Sequence, residues 1–167
     1  MVNEVYLGLG SNIGDRLKYL LYAIELISNN TNCSLIKSSS IYESTPYGST
    51  EGDNYYNGVI NIKTSLDPAE LLELMKQFEL KAGRKKEKIK WGPREIDIDI
   101  LFYNNLIYNN EKLNIPHPEI LIRDFVLIPL NEIAPDFVHP ITNRKIRDIN
   151  YTELERHIIQ KLNYILF

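Results

Sequence analysis

The chain has 167 residues, a formal net charge of −3, and 44% hydrophobic and 25% charged residues. That length supports one domain with a core large enough to need neither disulfides nor a structural metal, so a single domain over 1–167 is expected. The lone cysteine, Cys33, excludes an intrachain disulfide. No run approaches the roughly 20 apolar residues of a membrane span, and the first ten residues lack the pattern of a secretory signal. A cytoplasmic protein is therefore expected, and the mild acidity argues against nucleic acid as a partner.

Residues 5–9 read as a strand ending at Gly10. Ser11 or Asn12 can cap a helix, and Leu17, Leu20, Leu21, Ile24 and Ile27 follow at helical spacing, with Asn29 and Asn30 closing it. Residues 34–43 read as one strand, 45–54 as a Pro- and Gly-containing loop, and 55–64 as another strand. Asp67 and Pro68 open a second helix whose apolar face is Leu71, Leu72, Leu74, Met75 and Phe78, with Gly83 as its stop. A basic loop follows, then a strand over 95–102. The order βαββαβ is that of the ferredoxin-like α/β unit, an antiparallel sheet with two helices on one face. The remainder predicts a hairpin near 104–114, a helix after Pro118 and a final helix around 152–164, with His157 on that helix's surface.

The charge is unevenly spread. Residues 81–94 hold Lys81, Arg84, Lys85, Lys86, Lys88, Lys90 and Arg94 against Glu87 alone, so this window sums to +6 and the rest of the chain to −9. Directly after it comes Glu95-Ile96-Asp97-Ile98-Asp99-Ile100. Residues two apart on a strand share a face, so Asp97 and Asp99 stand side by side in a row with Glu95, while the isoleucines turn toward the helices. Adjacent carboxylates repel unless a cation sits between them, and magnesium accepts one or two carboxylates with phosphate oxygens and water. The commoner arrangement for a bare Asp-x-Asp alternation is a half-buried strand whose acids face water. The basic loop shifts the balance, because cations for phosphate beside carboxylates for magnesium are the two halves of a nucleotide-phosphate site.

Other segments exclude or add. Gly8-Leu9-Gly10-Ser11-Asn12-Ile13-Gly14 carries Ile13 where the dinucleotide fingerprint needs glycine, and no Walker loop occurs. Tyr42 to Gly48 and Tyr55-Tyr56-Asn57 bring aromatic and amide groups to one loop. That is either turn chemistry or a slot for a flat heterocycle, in which rings stack and an amide pairs with ring donors and acceptors. His117, between two prolines, and His139 read as structural by default. Trp91 is either core or a cover for a ligand.

Together these residues resemble the 6-hydroxymethyl-7,8-dihydropterin pyrophosphokinase family. The strongest match is Trp91-Gly92-Pro93-Arg94, then Asp97-Ile98-Asp99-Ile100. Gly10-Ser11-Asn12, the Tyr42–Gly48 loop, Asn57, Glu79 with Gly83-Arg84, Pro116-His117, and Arg123 through Pro135 also match in order, from residue 6 to about 140. The resemblance implies the ferredoxin-like fold and transfer of the diphosphate of ATP to the pterin's hydroxymethyl oxygen, releasing AMP. It assigns two magnesium ions to Asp97 and Asp99, and charge neutralisation to Arg84 and Arg94. It places Ser44, Thr45, Pro46, Tyr47, Tyr55, Asn57 and Phe125 around the pterin, with Trp91 closing over the site. It places Lys76, Glu79, Arg84, Lys86, Trp91, Arg94, Ile100, Lys112, His117 and Arg123 near ATP. Lys86 stands where the family carries an arginine, and a lysine delivers charge without a bidentate fork. The implied partners are the two small substrates, with no membrane and a monomer favoured. No fused neighbouring enzyme is expected within these 167 residues. Loops 44–54 and 83–93 are expected to close over the substrates.

Two other classes fit less well. An RNA-binding ferredoxin-like module would show aromatics on its central strands, where this chain has acids. A magnesium-dependent phosphohydrolase would use the same aspartates without a pterin.

Overall fold

The computed structural model describes residues 2–48, 52–85 and 93–167. Strand β1 (Asn3–Ser11) alternates Val5, Leu7 and Leu9, all buried under helices, with Tyr6, Gly8 and Gly10 on the other face. Helix α1 (Arg16–Ser28) follows, then β2 (Cys33–Ser38), β3 (Ser40–Ser44), β4 (Tyr55–Thr64) and helix α2 (Pro68–Lys81). Strand β5 (Asp97–Tyr103), a hairpin of β6 (Tyr108–Asn109) and β7 (Asn114–Ile115), helix α3 (Asp124–Ile133) and strand β8 (Ile158–Ile165) complete the chain. The sheet is antiparallel, in the order β5-β1-β4-β3-β8, with β2 beside β4 in line with β3. This is the ferredoxin-like arrangement, extended by the hairpin, by α3 and by an added edge strand.

Two apolar layers flank the sheet. On one face Leu20, Ala23, Ile24 and Ile27 of α1 and Leu71, Met75 and Phe78 of α2 pack on Ile60, Ile62, Ile98 and Ile100. On the other, Leu127, Leu130 and Ile133 of α3 cover Tyr6, Val59, Leu101 and Phe102. The α3 layer covers only part of its face, and the cavity described below occupies the rest.

Local chemistry explains where several expectations need correction. Helix α1 starts at neither Ser11 nor Asn12. Ser11 ends β1, and Asp15 caps the helix by accepting from the Lys18 amide. Asn12 instead ties two chain segments, accepting from the Arg94 amide at 2.7 Å and donating to the Asp53 carbonyl. Helix α2 begins as read: Asp67 accepts from the Ala69 and Glu70 amides, and Glu70 accepts in return from the Asp67 amide. Such a reciprocal cap contributes about 1 kcal/mol. The single strand read at 34–43 is two. Ser39 interrupts it, its hydroxyl accepting from the Val59 amide where a ladder carbonyl would otherwise stand. Strand β5 starts at Asp97, so Glu95 is not in the ladder. The predicted final helix is wrong. Residues 158–165 pair with β3 as a strand, and His157, just before it, is buried rather than on the surface.

Candidate active site

One cavity with about 780 Å³ of open space lies on the α3 side of the sheet. Its floor is the β1 row in which Gly8 and Gly10 replace side chains, and Asp97, Asp99 and Leu101 of β5 stand on one side. A Cβ at Gly10 would approach the Asn57 Oδ1 to 3.3 Å, and one at Gly8 would touch Leu101, so both glycines keep the floor open. The sequence places Gly8 in the first strand and Gly10 at its end, without assigning either a role in a site. The signal was the period-2 alternation of β1, which puts both glycines on the face away from the helices.

One end of the cavity is charged. Arg84 Nη1 donates to Asp97 Oδ1 and Arg94 Nη1 to Asp97 Oδ2, both at 2.6 Å. Arg84 also pairs with Glu79 at 2.6 Å. Glu79 is 2% exposed and reaches β5 itself, accepting from the Ile98 amide at 2.8 Å and from Lys76 at 2.9 Å. Burial works against the Asp97 charge, but Arg94, Arg84 and Lys76 outweigh it and hold the carboxyl below the usual range. Asp99 moves the other way: burial and the neighbouring Asp97 charge push its carboxyl up, against His117, Lys76 and Arg123. Burial likewise raises Glu79, with Lys76 and Arg84 opposing. Burial disfavours the Arg84 charge, yet Asp97 and Glu79 raise its pKa. A pair of same-face carboxylates pulled in opposite directions is a pair short of positive charge on the Asp99 side.

The other end is aromatic and polar. Tyr47, Tyr55 and Phe125 line it with Ser44, Thr45 and Asn57. Asn57 donates to the Ser44 hydroxyl at 2.7 Å. The Tyr47 and Phe125 rings meet edge-on at 5.9 Å, and the Arg123 guanidinium lies 4.4 Å over the Tyr47 ring. His117 enters the cavity because its amide donates to the Leu101 carbonyl, seating it against β5.

The cavity thus gathers Ser44, Thr45, Tyr47, Tyr55, Asn57, Arg94, Asp97, Asp99, His117, Arg123 and Phe125 from the expected residues. Arg84 and Glu79 reach it through Asp97 and β5, and Lys76 through Glu79. Pro46 is not in its wall, Ile100 is buried under the helices, and Lys112 is exposed between β6 and β7. Lys86 and Trp91 lie outside the described residues, as does the middle of the basic window over 86–92. Among the described residues no three His, Cys, Asp or Glu side chains cluster as a metal cage, so the oxygen donors available are the two aspartates. No helix of the described residues is long and apolar enough to cross a membrane.

A family model described as 7,8-dihydro-6-hydroxymethylpterin-pyrophosphokinase matches residues 6–135. The chain belongs to this family. A 2-amino-4-hydroxy-6-hydroxymethyldihydropteridine pyrophosphokinase of Aquifex aeolicus is 46% identical over 144 residues, covering 86% of this chain and 88% of the relative. A Dictyostelium discoideum folic acid synthesis protein is 44% identical over 83% of this chain, which spans only 20% of that longer protein. A crystal structure of Plasmodium falciparum HPPK-DHPS superposes with a TM-score of 0.71 at 18% identity, covering 89% of this chain and 43% of the other. That likeness shows the shared fold. The charged end of this pyrophosphokinase and most of its aromatic end fall inside the matched span, while β8 and His157 fall outside it.

Proposed function

We propose that the cavity holds ATP and 6-hydroxymethyl-7,8-dihydropterin side by side, and that Arg84, Arg94, Asp97 and Asp99 act on the transferred group. The chain is a pyrophosphokinase of folate synthesis, a transferase that uses ATP to place a diphosphate on the pterin's hydroxymethyl group and releases AMP. The observation that carries the site assignment is the sharing of one cavity by the Arg84–Asp97–Arg94 cluster and the Tyr47–Asn57–Phe125 slot.

The donor set fits magnesium. Two neighbouring carboxylates, with no third such ligand among the described residues, leave most positions to water and phosphate oxygens, as that ion requires. We assign two ions to Asp97 and Asp99. Bound there, magnesium supplies charge neutralisation along the phosphate chain. Arg84 and Arg94 supply fixed positive charge where the diphosphate departs from AMP. Tyr47 and Phe125 hold the flat ring, Asn57 pairs with its edge, and Ser44 orients Asn57. We assign His117 to the nucleotide, and Arg123, which stacks on Tyr47 and also acts on Asp99, to the meeting point of the two substrates. No side chain is assigned as a general base, because phosphoryl transfer depends on positioning and charge neutralisation more than on covalent help. We take the protein to act in the cytoplasm as a monomer.

Product analysis tests the reading. Incubation with ATP, magnesium and the hydroxymethyl pterin should yield AMP and pterin diphosphate in equal amounts, and chelation of magnesium should stop it. ADP as product, or hydrolysis indifferent to the pterin, would overturn it.

A further inference from the structure

The C-terminal segment lies beyond the family match, yet it touches the aromatic end of the cavity from behind. His157 is 7% exposed and is not in the cavity wall. Its ring meets Tyr47 at 5.4 Å and Phe125 edge-on at 5.8 Å, and these two rings meet each other at 5.9 Å, closing a triangle. Two of its members line the cavity and the third braces them. The backbone fixes the brace. One carboxylate oxygen of buried Asp124, the residue before Phe125, accepts from the amides of both His157 and Ile158 at 2.9 Å. The His157 carbonyl accepts from the Thr45 amide at 3.0 Å, and His157 Nδ1 lies 3.0 Å from the Thr45 hydroxyl. Residues 44–47 and 123–125, far apart in sequence, are therefore joined through one histidine.

The strand that follows keeps the brace in place. β8 pairs with β3 from Ser44↔Ile158 to Ser40↔Ile165, and Lys161 reaches Glu132 of α3. Beyond it, Leu166 is buried against Gly58 of β4 and the Phe167 amide donates to Ser38 at 2.8 Å. The segment is thus held at both ends.

We propose that His157 is a positioning residue for the pterin, setting the separation and tilt of the Tyr47 and Phe125 rings. This rests on the reading of those rings as the pterin walls. A ring held by packing on two sides loses less freedom when a flat ligand enters, so the brace acts on pterin affinity and leaves the phosphate end untouched.

The test is steady-state kinetics with both substrates varied. His157→Ala should raise the KM for the pterin about tenfold, the scale of two lost ring contacts and a hydrogen bond, with the KM for ATP and kcat changed less than about twofold. His157→Phe keeps the ring and should restore most of the pterin KM, whereas His157→Gln, which keeps only a polar end, should not. Ile159→Ser, on the exposed part of β8, serves as the control for general weakening of the strand and should leave both KM values unchanged. If His157→Ala does not fold, the contrast of the Phe and Gln variants decides. Tyr47→Ala and Phe125→Ala separate the two layers of the argument. If both raise the pterin KM and His157→Ala does not, the positioning role falls alone. If neither does, the wall assignment falls and the positioning role with it. A rise in the ATP KM equal to that for the pterin would also overturn the proposal.

Discussion

The two ends of the cavity are built by different means. The charged end comes from one short stretch: Arg84, Arg94, Asp97 and Asp99 lie within residues 84–99, and β5 alone puts both aspartates on one face. The aromatic end is assembled from residues 44–57, 123–125 and 157, which meet only after β3, β4, α3 and β8 are in place. A site made by one strand, the arginines just before it and the Glu79 carboxylate of the adjoining helix needs little more than that strand and helix to form. A site made by three distant segments depends on the whole sheet being closed at its edge. The charged end should therefore govern turnover, and the aromatic end should govern recognition.

That division can be broken at several points. Asp97→Asn or Asp99→Asn should lower kcat by about 100-fold or more while circular dichroism remains native, the usual scale for removing a charge that acts in the transition state. Full activity of either variant at saturating magnesium would take the metal away from this strand. Glu79→Ala tests whether the charged end also carries stability. It removes the buried acceptor of Arg84, Lys76 and the Ile98 amide, and should cost about 2 kcal/mol in urea unfolding. An unchanged midpoint would mean that water replaces the carboxylate without loss. Asn57→Ala should raise the pterin KM about tenfold with little effect on ATP, because an unmet ring donor or acceptor is costly in a closed slot. An equal rise for both substrates would erase the distinction between the ends.

The smallest effect is predicted at His139, which lies outside both ends. Its Nδ1 accepts from the Ile141 and Thr142 amides at 3.3 Å, its ring meets Phe102 edge-on, and burial holds its pKa below the ordinary value. The unfolded chain therefore takes up a proton near pH 6.5 while the folded chain does so only at lower pH. The resulting stability is present above pH 6.5 and is lost as pH falls below it. Melting curves of wild type and His139→Gln from pH 7.5 to 5 should converge as the pH falls. Parallel curves would remove this contribution, and kcat at saturating substrates should be alike in both.

The same contrast explains what could be read from the residues alone. Asp97 and Asp99 are legible because strand periodicity is a local property. So are α1, α2 and the βαββαβ order, whose apolar spacing is unambiguous and, at α2, reinforced by the Asp67 cap. Ser11, Asn12 and Asp15 form a run of possible caps, and only the extent to which β1 pairs with β4 decides among them. The break at Ser39 depends on a hydrogen bond to Val59, twenty residues away. The end of the chain misled for a related reason. Residues 152–164 carry apolar residues at spacings that satisfy a helix, but the open edge of β3 gives the Ile158–Ile165 backbone a ladder, and Asp124 gives its first amides an acceptor. Neither partner is visible from within the segment. His157 follows the same logic: only the strand that succeeds it and Asp124 bring it behind the aromatic end.

Gly58 shows how far that edge reaches. A side chain at this position would press on the far end of Leu166, 2.8 Å from where its Cβ would sit. Alanine asks one methyl group to step aside, whereas valine evicts the leucine. Leu166 belongs to the helix-side core while Gly58 itself borders the cavity, so the C-terminal edge and the substrate site share this position.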